Sequence, residues 1–261
     1  MLFMTIRNYS PAEQAVGAFD GGTITEQKPI GFPGEGSAVR RVGPLFYWAW
    51  FQSEQGGRLP LHPHRGFEIL TYVLHGEVNH RDSLGRASLV GTGGAQVMQT
   101  GRGVSHAEEF RAGVSGFQIW FEPYYGDAVK RVPTYTQYEH EQFPASLDAD
   151  GSVKTVIGPG APIDLVADVR MWDVALEAGR GRAFDIPAGY SMAGLVVEGE
   201  SAHWSFGGEN ANVPLKHFAV ADAADDSRLL IQAGGEQAAR IILIQVPTEL
   251  GYLPYNKIPL T

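Results

Sequence analysis

Two short stretches hold the residues best able to do chemistry, His62-Pro63-His64 and His106-Ala107-Glu108. Side chains two apart on a β-strand point to the same face. Facing strands carrying these pairs would therefore bring three imidazoles and one carboxylate together. Such a nitrogen-and-oxygen set suits a divalent transition metal with open coordination positions. The competing reading of a lone His-X-His is a pair of satisfied strand histidines. Two such pairs, concentrating three of the eight histidines, favour the metal. The other five are scattered: His75 and His80 flank a turn and are expected in solvent, His140 stands alone, and His203 and His217 read as structural.

Composition narrows the chemistry. With no cysteine, thiolate ligands and disulfides are excluded. A net charge of −9 without a Lys/Arg cluster argues against a nucleic-acid-binding face. Met1-Leu2-Phe3-Met4 turns polar at once and does not read as a signal peptide, and no apolar run reaches membrane length. A cytoplasmic protein without membrane contact is the expectation.

The elements that must position these residues read as strands. Thirty-three glycines and 16 prolines imply many tight turns and short strands. Strand composition is clear at 45–51, 68–74, 87–90, 96–98 and 117–121, with turn signals at His75-Gly76-Glu77 and Gly91-Thr92-Gly93-Gly94. No helical period persists. Residues 1–126 are expected to form one domain and 127–163, broken by Pro133, Pro144, Pro159 and Pro162, a connection. Strands resume at 169–176, 194–197, 202–206, 229–232 and 241–245, giving a second domain over 164–261.

Leu74-His75-Gly76-Glu77 has an echo in Val197-Glu198-Gly199-Glu200. Aligned on those glycines, Asp185, Pro187 and Ser191 occupy the places of His62, His64 and Glu68, and Leu230 and Gln232 fall near those of His106 and Glu108. The second domain is thus expected to be a degenerate copy without ligands. In the first, uninterrupted parity puts His62, His64, Glu68, Leu70 and Tyr72 on one face, with Ile69 and Thr71 on the other. A bulge at Arg65-Gly66 would change this. Gly101-Arg102-Gly103 reads as a turn, since no helix pattern follows it to make a phosphate cradle. Glu54, Glu77 and Glu109 read as surface charges, and no Ser/His/Asp triad is apparent.

Leu61-His62-Pro63-His64-Arg65-Gly66-Phe67-Glu68, then His80-Arg81-Asp82-Ser83, then Gly101-Arg102-Gly103-Val104-Ser105-His106-Ala107-Glu108 closely resemble the signature of the pirin family. The match is specific from Pro60 to Glu108. Pirins belong to the cupin superfamily, so the resemblance implies an all-β bicupin: two stacked antiparallel β-barrels of jelly-roll type with little helix, the N-terminal one metal-bearing. The implied ligands are His62, His64, His106 and Glu108, with Glu68 beyond the ligand shell. Two departures stand out. Gln99 occupies the place of a proline in the general cupin pattern, and the C-terminal stretch around Tyr252-Leu253-Pro254-Tyr255-Asn256-Lys257 is not expected to supply the closing segment of longer pirins.

The resemblance implies one divalent metal, iron first, with manganese, cobalt, nickel, copper or zinc also compatible with the donors. The activity it implies is that of a quercetin 2,3-dioxygenase, opening a flavonol ring with dioxygen and releasing carbon monoxide. Glu108 would then be the general base, and Tyr72, Phe110 or Trp48 would line the cavity or simply fill core. The alternative is a non-catalytic iron protein whose redox state biases binding to a protein partner. A cupin isomerase is disfavoured, because no glutamine ligand or basic sugar-phosphate site accompanies the motifs.

Overall fold

The computed structural model describes residues 5–255, so Met1-Leu2-Phe3-Met4 and the Asn256-Lys257 end of the tail lie outside the described residues. Two compact units are formed. Of the described residues, one holds Gln14–Gln142, Leu165–Ala167 and 250–255; the other holds 5–13, Phe143–Asp164 and Asp168–Glu249. Among the described residues, helix is confined to Tyr125–Ala128 and three single 3-10 turns. None is long and apolar enough to cross a membrane.

The first unit pairs a seven-stranded with a four-stranded antiparallel sheet. The larger runs Thr134–Tyr138, Ala95–Gln99, Glu68–His75, Val114–Phe121, Leu45–Ser53, Ile24–Ile30 and Ala15–Phe19. The smaller runs Gly57–His64, Val104–Phe110, Glu77–Asp82 and Ala87–Gly91. Phe51 and Val73 from the larger share a core with Val78, Val90 and Phe110 from the smaller. This is how alternating strands bury one face of each sheet.

The second unit repeats this order strand for strand. Its larger sheet is Thr5–Tyr9, Phe218–Asp222, Tyr190–Glu198, Ala239–Pro247, Arg170–Leu176, Gly151–Ile157 and Ala145–Asp148; its smaller is Gly181–Ile186, Ser227–Gly234, Ser201–Phe206 and Glu209–Pro214. The chain is therefore internally duplicated. The second unit's seven-stranded sheet is finished by a strand from outside its own run of sequence, Thr5–Tyr9, at the place that Thr134–Tyr138 fills in the first.

Two sequence expectations are corrected by pairing. Much of the stretch 127–163, expected as connection, is strand: Thr134–Tyr138 joins the first unit, and Ala145–Asp148 and Gly151–Ile157 the second. Thr134–Tyr138 and Ala145–Asp148 are edge strands just beyond Pro133 and Pro144, and exposed polar edge residues blur the alternation that marks a strand.

The internal alignment also slips by one residue. Glu68 pairs with Gln99 as Ser191 pairs with Asp222, so Glu68 and Ser191 are equivalent as expected. Val104 follows Gln99 at the interval at which Ser227 follows Asp222, and these pair with His64 and Ile186. The counterparts of His62, His64, His106 and Glu108 are thus Phe184, Ile186, Leu229 and Ile231, all buried, whereas Asp185, Leu230 and Gln232 point outward. Because strand period is two, a one-residue slip exchanges faces.

Candidate metal centre

His62 and His64 lie at the end of Gly57–His64, an edge strand, which is where Pro60 and Pro63 are tolerated. His106 lies on the neighbouring strand, directly opposite His62. The register shifts between His106 and Glu108, so that Glu108 faces Leu59 while both residues stay buried on the inner side. Ring nitrogens of His62, His64 and His106 lie within 4.8 Å of one another. The Nε2 atoms of His64 and His106 are 3.0 Å apart.

Burial first, and the neighbouring His62 second, push His64 down to about 4. Burial followed by His64, His62 and His80 pushes His106 down to about 2. Both rings are therefore neutral near pH 7, the form in which imidazole ligates a metal. His62 Nδ1 donates to the Pro60 carbonyl at 2.8 Å, leaving its Nε2 lone pair free. Three converging ring nitrogens fit a divalent metal; among the described residues, no other group of three or more His, Cys, Asp or Glu converges in this way.

Glu108 stands outside that group of three. Its carboxylate accepts from Gln118 Nε2 at 2.6 Å, Gln96 Nε2 at 3.0 Å and, at longer range, Thr71 Oγ1 at 3.4 Å. Those donors favour the anion, but complete burial outweighs them and pushes the carboxyl up to about 7. In the second unit the positions of Thr71, Gln96, Glu108 and Gln118 are filled by Gly194, Ala219, Ile231 and Leu243. The polar chamber, like the histidines, is a property of one copy.

Glu68 is turned away from this chamber. Gly66, at φ +82°, breaks the run between His64 and Glu68, and Thr71 rather than Glu68 reaches Glu108. Glu68 instead accepts from Gln99 Nε2 at 2.7 Å and from the backbone N–H groups of Val166 at 2.7 Å and Ala167 at 2.9 Å. It ties the short Leu165–Ala167 segment to its unit, and the interruption of parity that Arg65-Gly66 allowed for is present at the glycine.

His80, expected in solvent, is 1% exposed. Its Nε2 lies 3.0 Å from Asp82 Oδ2 and its Nδ1 3.5 Å from His106 Nδ1, and its ring stacks on Tyr135 at 4.1 Å. The signal was present: Val78, His80 and Asp82 alternate with Glu77, Asn79 and Arg81, so His80 shares the face of a buried valine. Tyr72, Phe110 and Trp48 are core residues. The aromatic against the histidines is Trp120, its ring edge-to-face with His64 at 4.7 Å and continued by Phe67 and Phe46.

A duplicated seven-plus-four antiparallel β-fold with histidines in one copy defines a cupin-type protein, and comparison with known proteins narrows it. The Pirin family model matches residues 45–121. A "Pirin-like protein" of Caulobacter vibrioides is 32% identical over 185 residues, covering 65% of this chain and 64% of that protein. "Putative quercetin 2,3-dioxygenase PA3240" of Pseudomonas aeruginosa is 30% identical over 200 residues, covering 70% of this chain and 68% of that protein. The Escherichia coli bacterial pirin YhhW, solved with nickel(II), superposes with TM-score 0.73 at 22% identity over 93% of this chain and 99% of that one. The chain belongs to the pirin family.

Proposed function

We propose that this chain is a metal-dependent dioxygenase of the quercetinase type, with His62, His64 and His106 holding one divalent transition metal. The observation that carries this reading is the convergence of three imidazoles, two of them held neutral by burial, in the same unit as a buried carboxyl poised near pH 7. The quercetin 2,3-dioxygenase name of the Pseudomonas relative and the nickel in YhhW support it.

When bound, the metal would supply Lewis-acid stabilisation of charge on a substrate oxygen and a centre for reaction with dioxygen. Glu108, two residues beyond His106, is the group suited to take a flavonol hydroxyl proton, since a base titrating near 7 is half-ionised at working pH. In the same proposal Glu108 is the fourth ligand of the metal, the role the resemblance implies. Gln118 and Gln96 hold its two oxygens in place. Trp120, Phe67 and Phe46 give an aromatic, apolar wall beside His64, which suits an aromatic ring system. The second unit, with Phe184, Ile186, Leu229 and Ile231 in the ligand positions, takes no part in metal binding.

The test is anaerobic reconstitution with ferrous iron, manganese, cobalt, nickel and copper in turn, then quercetin and oxygen, with headspace carbon monoxide followed. One metal per chain and metal-dependent carbon monoxide are expected. Both should be lost in His62→Ala and His106→Ala, and the gas alone should fall at least a hundredfold in Glu108→Gln. Tight metal binding without carbon monoxide from any metal would overturn the quercetinase reading, and unchanged stoichiometry in both histidine variants would overturn the site.

A further inference from the structure

The side chains behind His106 form a line whose polarity is fixed at one end. Asp82 Oδ2 lies 3.0 Å from His80 Nε2, and His80 Nδ1 lies 3.5 Å from His106 Nδ1, a long contact between two rings that are 1% and 2% exposed. At the far side of His106, Nε2 faces His64 Nε2 across the cluster. Asp82 cannot drift, because its other oxygen accepts the backbone N–H groups of Leu84 at 2.9 Å and Arg86 at 3.1 Å in the following turn. His80 cannot rotate freely, because it stacks on Tyr135, whose hydroxyl donates to Gln96 Oε1 at 2.9 Å.

We propose that Asp82 and His80 are positioning residues that set the tautomer of His106, so that its Nε2 carries a bare lone pair toward the site. The inference rests on the metal-centre reading for its purpose, but its physical content stands on the hydrogen-bond order alone. An ionised carboxylate only accepts, so His80 Nε2 carries the proton and His80 Nδ1 is an acceptor. The one way for two neutral Nδ1 atoms to share a hydrogen bond is then for His106 Nδ1 to donate. That leaves His106 Nε2 unprotonated and aimed between His62 and His64. The arrangement is a carboxylate–histidine orienting pair lengthened by one imidazole, and such outer partners commonly alter metal affinity ten- to a hundredfold.

Asp82→Asn tests it with little change of shape. The amide oxygen can still accept from Leu84 and Arg86, which turns the amide nitrogen toward His80. His80 must then accept at Nε2 and carry its proton on Nδ1, and His106 must accept at Nδ1 and place its own proton on Nε2. Long-range proton–nitrogen NMR on the metal-free protein reads both rings directly. Wild type is expected to show protonated Nε2 on His80 and protonated Nδ1 on His106, with both exchanged in Asp82→Asn. Nickel titration should show affinity reduced ten- to a hundredfold at unchanged stoichiometry.

A wild-type His106 protonated on Nε2 overturns the proposal, and so do unchanged tautomers in the variant. Exchanged tautomers with unchanged nickel affinity would overturn the role in binding. If Asp82→Asn does not fold, the wild-type spectrum still decides the tautomers. If wild type binds none of nickel, ferrous iron, manganese, cobalt and copper, the metal-centre reading fails while the tautomer assignment is still judged by its spectrum.

Discussion

Gln118 places its amide nitrogen 2.6 Å from Glu108 Oε2 while its amide oxygen accepts the Trp120 indole N–H at 3.2 Å. Because indole is only a donor and an ionised carboxylate only an acceptor, the amide has one orientation that satisfies both. With Trp120 packed against His64, a continuous line of contacts runs from the histidine cluster to the buried carboxyl.

Trp120→Phe keeps an aromatic ring against His64 and removes the donor that fixes Gln118. Stability should fall by about 1 kcal/mol, the net worth of one such hydrogen bond. Denaturant melts would measure it. Glu108 should also titrate higher in the variant, read from its carboxyl carbon by NMR, because an unanchored amide holds the anion less well.

Glu108 gives the metal-free protein a pH-dependent stability whose sign follows from its shift. Its folded value, about 7, lies above the ordinary 4.5, so the folded state binds more protons between those values. Stability should therefore be full below about pH 4.5, fall as pH rises to about 7, and level off above. The drop from this group is about 3 kcal/mol. Burial raises Glu26 and Glu68 too, so they act with the same sign. Glu108→Gln isolates the one contribution: its melts should lose less stability than wild type between pH 5 and 8. An equal decline in both would show that Glu108 does not titrate there.

Glu68→Ala should loosen Leu165–Ala167 without disturbing the metal. Two backbone N–H groups lose their carboxylate, for a loss of about 2 kcal/mol. Hydrogen exchange at Val166 and Ala167 should speed up, while nickel stoichiometry stays that of wild type.

Gly66→Ala should be costly at a single methyl. The residue sits at φ +82°, and a Cβ there would strike the Tyr125 ring. Strain and displacement together predict a loss of about 2 kcal/mol. Since His64 ends its strand two residues earlier, nickel affinity should fall as well, which a titration beside the melt would show.

Much of the site was legible because it is local. The interval of two in His62-Pro63-His64 and His106-Ala107-Glu108 already fixes which side chains share a strand face. Apolar, β-branched and aromatic composition marked strands at 45–51, 68–74 and 117–121, and the paired glycines at 76 and 199 exposed the duplication. Less was legible wherever one backbone irregularity intervened. Gly66 reversed the face of Glu68, and a one-residue difference between the copies moved the ligand-equivalent positions onto Phe184, Ile186, Leu229 and Ile231.

The sequence by itself determined the donors, their spacing, the all-β class and the absence of thiolate chemistry, because side-chain identity and strand alternation are carried by neighbouring residues. Only the tertiary structure decided that His80 is buried behind His106, that Glu68 ties down Val166 and Ala167, and that Glu108 is enclosed by Thr71, Gln96 and Gln118. Those relationships join strands far apart in sequence. Burial and hydrogen-bond partners depend on what lies across the sheet or on the facing sheet, and no local spacing encodes that.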